Sequence, residues 1–130
     1  MINAHFVSSS ILSNESEAFS LYEKSNFGEK KESKIEYSFV EALFLLESKR
    51  INVINNKKEI GYIDLLKKVK KIDKKIEIKL PVYTDLRKKG YIVKSALKFG
   101  ADFRVYDKGT KPGQSHAPWI VYTTKDSDNL

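Results

Sequence analysis

Residues 91–116 read YIVKSALKFGADFRVYDKGTKPGQSH, and the way this stretch folds decides where Tyr106 and His116 lie. In Asp102-Phe103-Arg104-Val105-Tyr106 the two-residue period of a strand puts Phe103 and Val105 on one face and Asp102, Arg104 and Tyr106 on the other. Tyr106 is therefore expected to face solvent or a ligand. Residues 107–115 carry Gly109, Pro112 and Gly113 and read as a loop, after which Pro118 to Thr123 resumes a strand pattern. His116 is then placed at the far lip of that loop, opposite Tyr106. A phenol and an imidazole facing one gap form a general acid/base pair that needs no metal. Taken alone, a tyrosine near a strand end and a histidine in a loop are more often plain surface residues.

Working outward, Thr84 to Lys89 reads as a short helix stopped by Gly90, the expected left-handed exit residue. Tyr91 to Val93, Leu97 to Phe99, Phe103 to Tyr106 and Trp119 to Tyr122 supply the strands of a mixed sheet. Trp119, beside Ile120 and Val121, is expected to pack in the core. Lys74 to Lys79 reads as a link to an earlier unit. In that unit Tyr62, Leu65, Leu66, Val69 and Ile72 recur at three- and four-residue spacing, which predicts an amphipathic helix covering the N-terminal strands, with Lys67, Lys68, Lys70 and Lys71 on its other face. Such a face is commonly just solvated, and it also suits an RNA backbone. Ser38 followed by Glu41 is a capping-box pattern opening a helix over 38–48. Ile51 to Ile54 reads as a strand ending at the polar turn Asn55-Asn56. Residues 26–34 read as a charged loop, and residues 2–25 as short strands that include Ala18 to Tyr22.

The fold class that follows is α+β: a small N-terminal domain of strands plus helices, residues 1–79, and an incomplete mixed-sheet, nuclease-like domain, residues 80–130. At 130 residues the chain holds one ordinary domain or two very small ones, and small cores favour association. Twenty-four Lys and Arg against seventeen Asp and Glu give a formal charge of +7. That balance suits phosphate-rich partners. With no cysteine and only His5 and His116, disulfides, thiolate metal sites and a histidine-rich metal centre are excluded, and no cofactor is expected. Neither a membrane-span-length apolar run nor a signal peptide is seen, so a cytoplasmic protein without membrane association is the expectation. A P-loop is excluded because the glycines around 109–113 lack the strand-to-helix context.

The run from Tyr83 to Lys94, then Leu97 to Tyr106 with its FGADF core, then His116, resembles the catalytic domain of the archaeal-type tRNA-splicing endonucleases, or tRNA-intron lyases. Phe39 to Leu46 is similar to the first long helix of that family's N-terminal domain. The resemblance implies metal-independent cleavage of precursor tRNA at bulge-helix-bulge junctions, leaving a 2′,3′-cyclic phosphate and a 5′-hydroxyl. It implies Tyr106 as the general base for the attacking 2′-hydroxyl and His116 as the general acid for the departing oxygen. An imidazole, titrating near about 6.5, donates or accepts near neutrality, whereas a phenol, at about 10, is a poor base unless cations lie close.

The family's third catalytic residue, a lysine on a helix downstream of the strand that follows the histidine, has no counterpart here. Lys108 and Lys111 are loop substitutes to weigh, and a truncated chain or a second polypeptide supplying the lysine is the favoured account. Arg87 and Arg104 are expected to support RNA binding, together with Lys108 and Lys111. Assembly with other endonuclease subunits, as a homotetramer or heterotetramer, is implied as well, with Asp126 and Asp128 near the position of an acidic subunit-contact loop. Two alternatives stand beside the catalytic subunit: a non-catalytic structural subunit of the same enzyme, and an RNA-binding module without cleavage.

Overall fold

The computed structural model describes residues 1–96, 100–114 and 116–124. The chain divides into two compact units, Met1–Ile76 and Glu77–Leu130. The first is built on a six-stranded sheet. Its strands are β1 (Ile2–Val7), β2 (Ser10–Ser13), β3 (Glu29–Lys31), β4 (Lys34–Tyr37), β5 (Ile51–Asn55) and β6 (Lys58–Ile60), in the spatial order β3-β4-β2-β1-β5-β6. All pairings are antiparallel except β1 with β5, where Ile2 stands beside Ile51 and Ala4 beside Val53. Those four, with Ile11, Ile35 and Tyr37, are buried, so one face of the sheet carries the core. The hairpins β1–β2 and β5–β6 turn through Ser8-Ser9 and Asn56-Lys57, all four at positive φ. That is the geometry whose twist matches the flanking strands.

Three helices belong to this unit: α1 (Ser16–Ser25), α2 (Phe39–Glu47) and α3 (Tyr62–Ile72). The capping box of α2 forms as the sequence predicts. Ser38 Oγ accepts from the Glu41 N–H at 3.3 Å, and Glu41 Oε1 accepts from the Ser38 N–H at 2.9 Å. The second carboxylate oxygen of Glu41 accepts from the Gly28 N–H at 2.7 Å, tying the helix start to the chain thirteen residues earlier. Leu65 and Val69 are the buried residues of α3, which packs against α2.

Two expectations for this unit are corrected. Ala18 to Tyr22 lies in helix α1, not a strand: Ala18 and Leu21 are its buried residues at i,i+3 spacing, and Asn26 ends it at φ 56°. Residues 26–34 are not a loop throughout, because β3 and the start of β4 form a hairpin there. Every residue of β3 is exposed, so charge that reads as loop is the ordinary dress of an edge strand.

The second unit opens with α4 (Ile76–Lys88), followed by β7 (Ile92–Ser95), β8 (Phe103–Tyr106) and β9 (Trp119–Val121). The link expected over 74–79 is thus largely helix, and the helix expected from Thr84 starts eight residues sooner. Pro81 inside α4 and the alternation Ile76-Ile78-Leu80 both disguise it. Its end matches expectation: Gly90 sits at φ +95°, with its N–H bonded to the Arg87 carbonyl and the Tyr91 N–H to the Leu86 carbonyl. Among the described residues the sheet order is β7-β8-β9, antiparallel throughout, and the parallel pairing of this α+β fold lies in the first unit's sheet. Leu97 to Phe99, expected as a strand, lie outside the described residues. Among the described residues no helix is long and apolar enough to cross a membrane.

Candidate active site

Strand register in the second sheet sets the neighbourhood of Tyr106. Ile92 is opposite Tyr106, Lys94 opposite Arg104, and Arg104 opposite Ile120. Directly opposed residues share a face, so Lys94, Arg104 and Tyr106 belong to one side of the sheet. Val93, Phe103 and Val105 belong to the other, where Tyr83 of α4 packs on Phe103 with ring centroids 5.9 Å apart. The alternation expected for β8 is present. Its consequence is not: Tyr106 is 2% exposed rather than solvent-facing. Both faces of this sheet bury side chains, Ile92 and Lys94 on one, Val93 and Val105 on the other, so position on the second face does not mean exposure.

The hydroxyl of Tyr106 accepts a hydrogen bond from Arg104 Nη1 at 3.3 Å, and Arg104 Nε donates to the Ser95 carbonyl at 2.7 Å. The guanidinium is thereby held with one edge on the backbone and another on the phenol oxygen, a donor suited to negative charge there. His116 is exposed in the connection between β8 and β9, after a single 3₁₀ turn at Pro112–Gln114, and makes no hydrogen bond or ion pair among the described residues. Lys108 and Lys111 are exposed in the same connection. The stem of Lys108 lies where a side chain on Gly90 would go.

Arg87 is turned onto its own helix end. Its Nε donates to the Tyr83 hydroxyl at 3.3 Å and Nη1 to the Tyr91 carbonyl at 3.5 Å, with the guanidinium 5.9 Å from the Tyr83 ring centroid. Trp119, expected in the core, is 45% exposed: it meets Tyr91 edge-on at 5.6 Å from the outer strand β9. Asp126 and Asp128 lie outside the described residues.

Two features escaped the sequence reading. Asp102 Oδ2 accepts from both the backbone N–H and the hydroxyl of Thr123, each at 2.8 Å, while the Asp102 N–H donates to the Val121 carbonyl at 3.1 Å. This clamps the start of β8 to the end of β9, a non-local pairing that spacing does not reveal. Lys94 is the second: it is 5% exposed, the one buried cation among the described residues, on the same sheet face as Tyr106. Two apolar neighbours before it, Ile92 and Val93, hint at burial, but only the register tells which face it takes. No group of three or more His, Asp or Glu is placed to hold a metal among the described residues.

The family model for the tRNA intron endonuclease N-terminal domain matches residues 2–66, and that for the catalytic C-terminal domain matches residues 76–130. The chain belongs to the tRNA intron endonuclease family. It is similar to the tRNA-splicing endonuclease of Pyrococcus furiosus, 41% identical over 104 residues that make up 80% of this chain and 59% of that protein. The tRNA-splicing endonuclease of Methanothermobacter thermautotrophicus is 33% identical over 113 residues, 85% of this chain and 64% of the relative. That of Nanoarchaeum equitans is 38% identical over 101 residues, 73% and 66%. The chain thus spans about three fifths of the length of the Pyrococcus furiosus relative. The resemblance read from the FGADF region and from the helix at Phe39 is to this family.

Proposed function

We propose that the chain is a catalytic subunit of a tRNA-splicing endonuclease, cutting precursor tRNA at bulge-helix-bulge junctions by internal transesterification. The 2′-hydroxyl before the scissile bond attacks the adjacent phosphate. Its proton goes to the deprotonated Tyr106 oxygen, the bond from phosphorus to the 5′-oxygen breaks, and a protonated His116 gives its proton to that leaving oxygen. The products are a 2′,3′-cyclic phosphate and a 5′-hydroxyl, so atoms and charges balance without water or metal. The observation that carries this reading is the Arg104 guanidinium fixed at 3.3 Å from the Tyr106 oxygen, within a stretch that matches the family's catalytic domain. Charge building on the phosphoryl oxygens calls for a cation. Lys94, buried on the same sheet face as Tyr106, is one source of that cation, and a lysine outside residues 1–130, in a longer form of this polypeptide or in a partner subunit, is the other.

The burial of Tyr106 favours a second reading, a structural subunit that supports a separate catalytic chain. Incubation with a bulge-helix-bulge RNA in EDTA, alone and with a second endonuclease chain, separates the two. Cyclic-phosphate and 5′-hydroxyl ends made by a mixture whose other chain lacks its own tyrosine and histidine support the catalytic reading. Cleavage that requires the other chain's tyrosine and histidine supports the structural one. Ends bearing 5′-phosphate contradict both.

A further inference from the structure

Helix α3 carries a surface that the proposed chemistry leaves unused. Between Tyr62 and Lys75 there are six lysines against two aspartates, a local surplus of four in a chain whose formal net charge is +7. Lys67, Lys70 and Lys71 are exposed and, at about 100° per residue, lie on the side of α3 opposite the buried Leu65 and Val69, while Lys74, also exposed, follows just after the helix end. Residues three and four apart on a helix are neighbours at about 5–6 Å between Cβ atoms, so Lys67 adjoins both Lys70 and Lys71. Lys67, Lys68, Lys71 and Lys74 make no ion pair among the described residues, so those four charges are not neutralised by a salt bridge.

We infer that Lys67, Lys70 and Lys71 of α3, with Lys74 just beyond its end, form a docking surface for the sugar-phosphate backbone of RNA, that of precursor tRNA. The inference rests on the functional reading above, since it takes the same substrate. Charge complementarity identifies the occupant. A polyanion releases its condensed counterions when it meets a row of cations, and A-form RNA offers proteins its phosphates and shape rather than its deep groove. A lipid surface is the poorer fit, because a basic amphipathic helix binds membranes by burying its apolar face, and Leu65 and Val69 are already inside the protein. Of the large apolar side chains of α3, Ile63 and Ile72 stand exposed near its two ends.

The test is the salt dependence of binding. Labelled bulge-helix-bulge RNA is titrated with the full chain, from about 50 to 300 mM KCl, and with the variant Lys67→Gln/Lys70→Gln/Lys71→Gln/Lys74→Gln. The expected result is an affinity loss of about tenfold or more and a log–log salt slope shallower by about three, with unchanged helical circular dichroism. Lys57→Gln/Lys58→Gln, two exposed lysines on the β5–β6 hairpin, serves as the charge control and should leave the slope nearly as it was. An unchanged slope in the four-lysine variant, with tight binding by the unaltered chain, overturns the docking surface and leaves the functional reading standing. An unaltered chain that binds no RNA at any salt overturns both. Loss of binding to phosphatidylglycerol vesicles with RNA affinity intact overturns the choice of RNA.

Discussion

Tyr37 shows what a single polar atom costs when the core closes over it. Its hydroxyl is buried without a hydrogen-bond partner, and burial, then the carboxylates of Glu41 and Glu15, push the phenol above its ordinary value of 10.0. An unsatisfied hydroxyl contributes nothing that a ring hydrogen would not, so Tyr37→Phe is expected to leave stability unchanged or raise it by about 1 kcal/mol in urea denaturation. A loss of more than about 1 kcal/mol would show that the hydroxyl has a partner after all. The sign with pH follows from proton binding: above about pH 10 the unfolded phenol ionises while the folded one keeps its proton, so stability falls as pH rises. The melting temperature should therefore drop less steeply between about pH 9.5 and 11 in Tyr37→Phe. Asp102 is the opposite case, a carboxylate receiving two bonds from Thr123. Asp102→Ala should cost about 2–3 kcal/mol, read from the same denaturation curves, because charge-assisted bonds are the stronger kind; a loss under about 0.5 kcal/mol would mean the β8–β9 clamp is held by the strands alone.

At the scale of elements, Gly90 ends α4 at φ +95°, with Lys108 lying over it. Gly90→Ala should lower stability by about 1–2 kcal/mol, since a Cβ is disfavoured at that φ; thermal melting that matches the unaltered protein would contradict the assigned helix end. This stop was legible because glycine after a charged last turn has one common reason to be there. So were the capping box at Ser38 and the three- and four-residue apolar spacing of α3, each a local pattern with a local cause. Helix α1 was not, because only Ala18 and Leu21 are buried along its ten residues, and Phe19 and Tyr22 beside them blur the three-residue spacing. The β3–β4 hairpin hid behind charges that suit an edge, and α4 behind Pro81. At the site, β8 and its two faces were readable, while the burial of Tyr106, the Arg104 bond and the Thr123 clamp depend on register between strands, which alternation alone does not specify.

For the whole molecule, two units each with their own core stand in the order of the family's two domains. The sheet of the first unit buries one face under apolar side chains of α2 and the strands, so its fold rests on hydrophobic burial rather than on ion pairs. The second unit carries the tyrosine, the histidine and the arginine on which the proposed cleavage depends, and the first contributes the lysine face that the inference gives to RNA. In the proposed cleavage Tyr106 and His116 move the protons. Single-turnover cleavage of a saturating bulge-helix-bulge RNA by the active assembly, with Tyr106→Phe and His116→Ala in this chain, tests it most directly. Rates lower by about 10² to 10⁴ in each variant, with RNA affinity retained, are the predicted result. Rates unchanged by both substitutions would contradict these roles and place the chemistry in another chain.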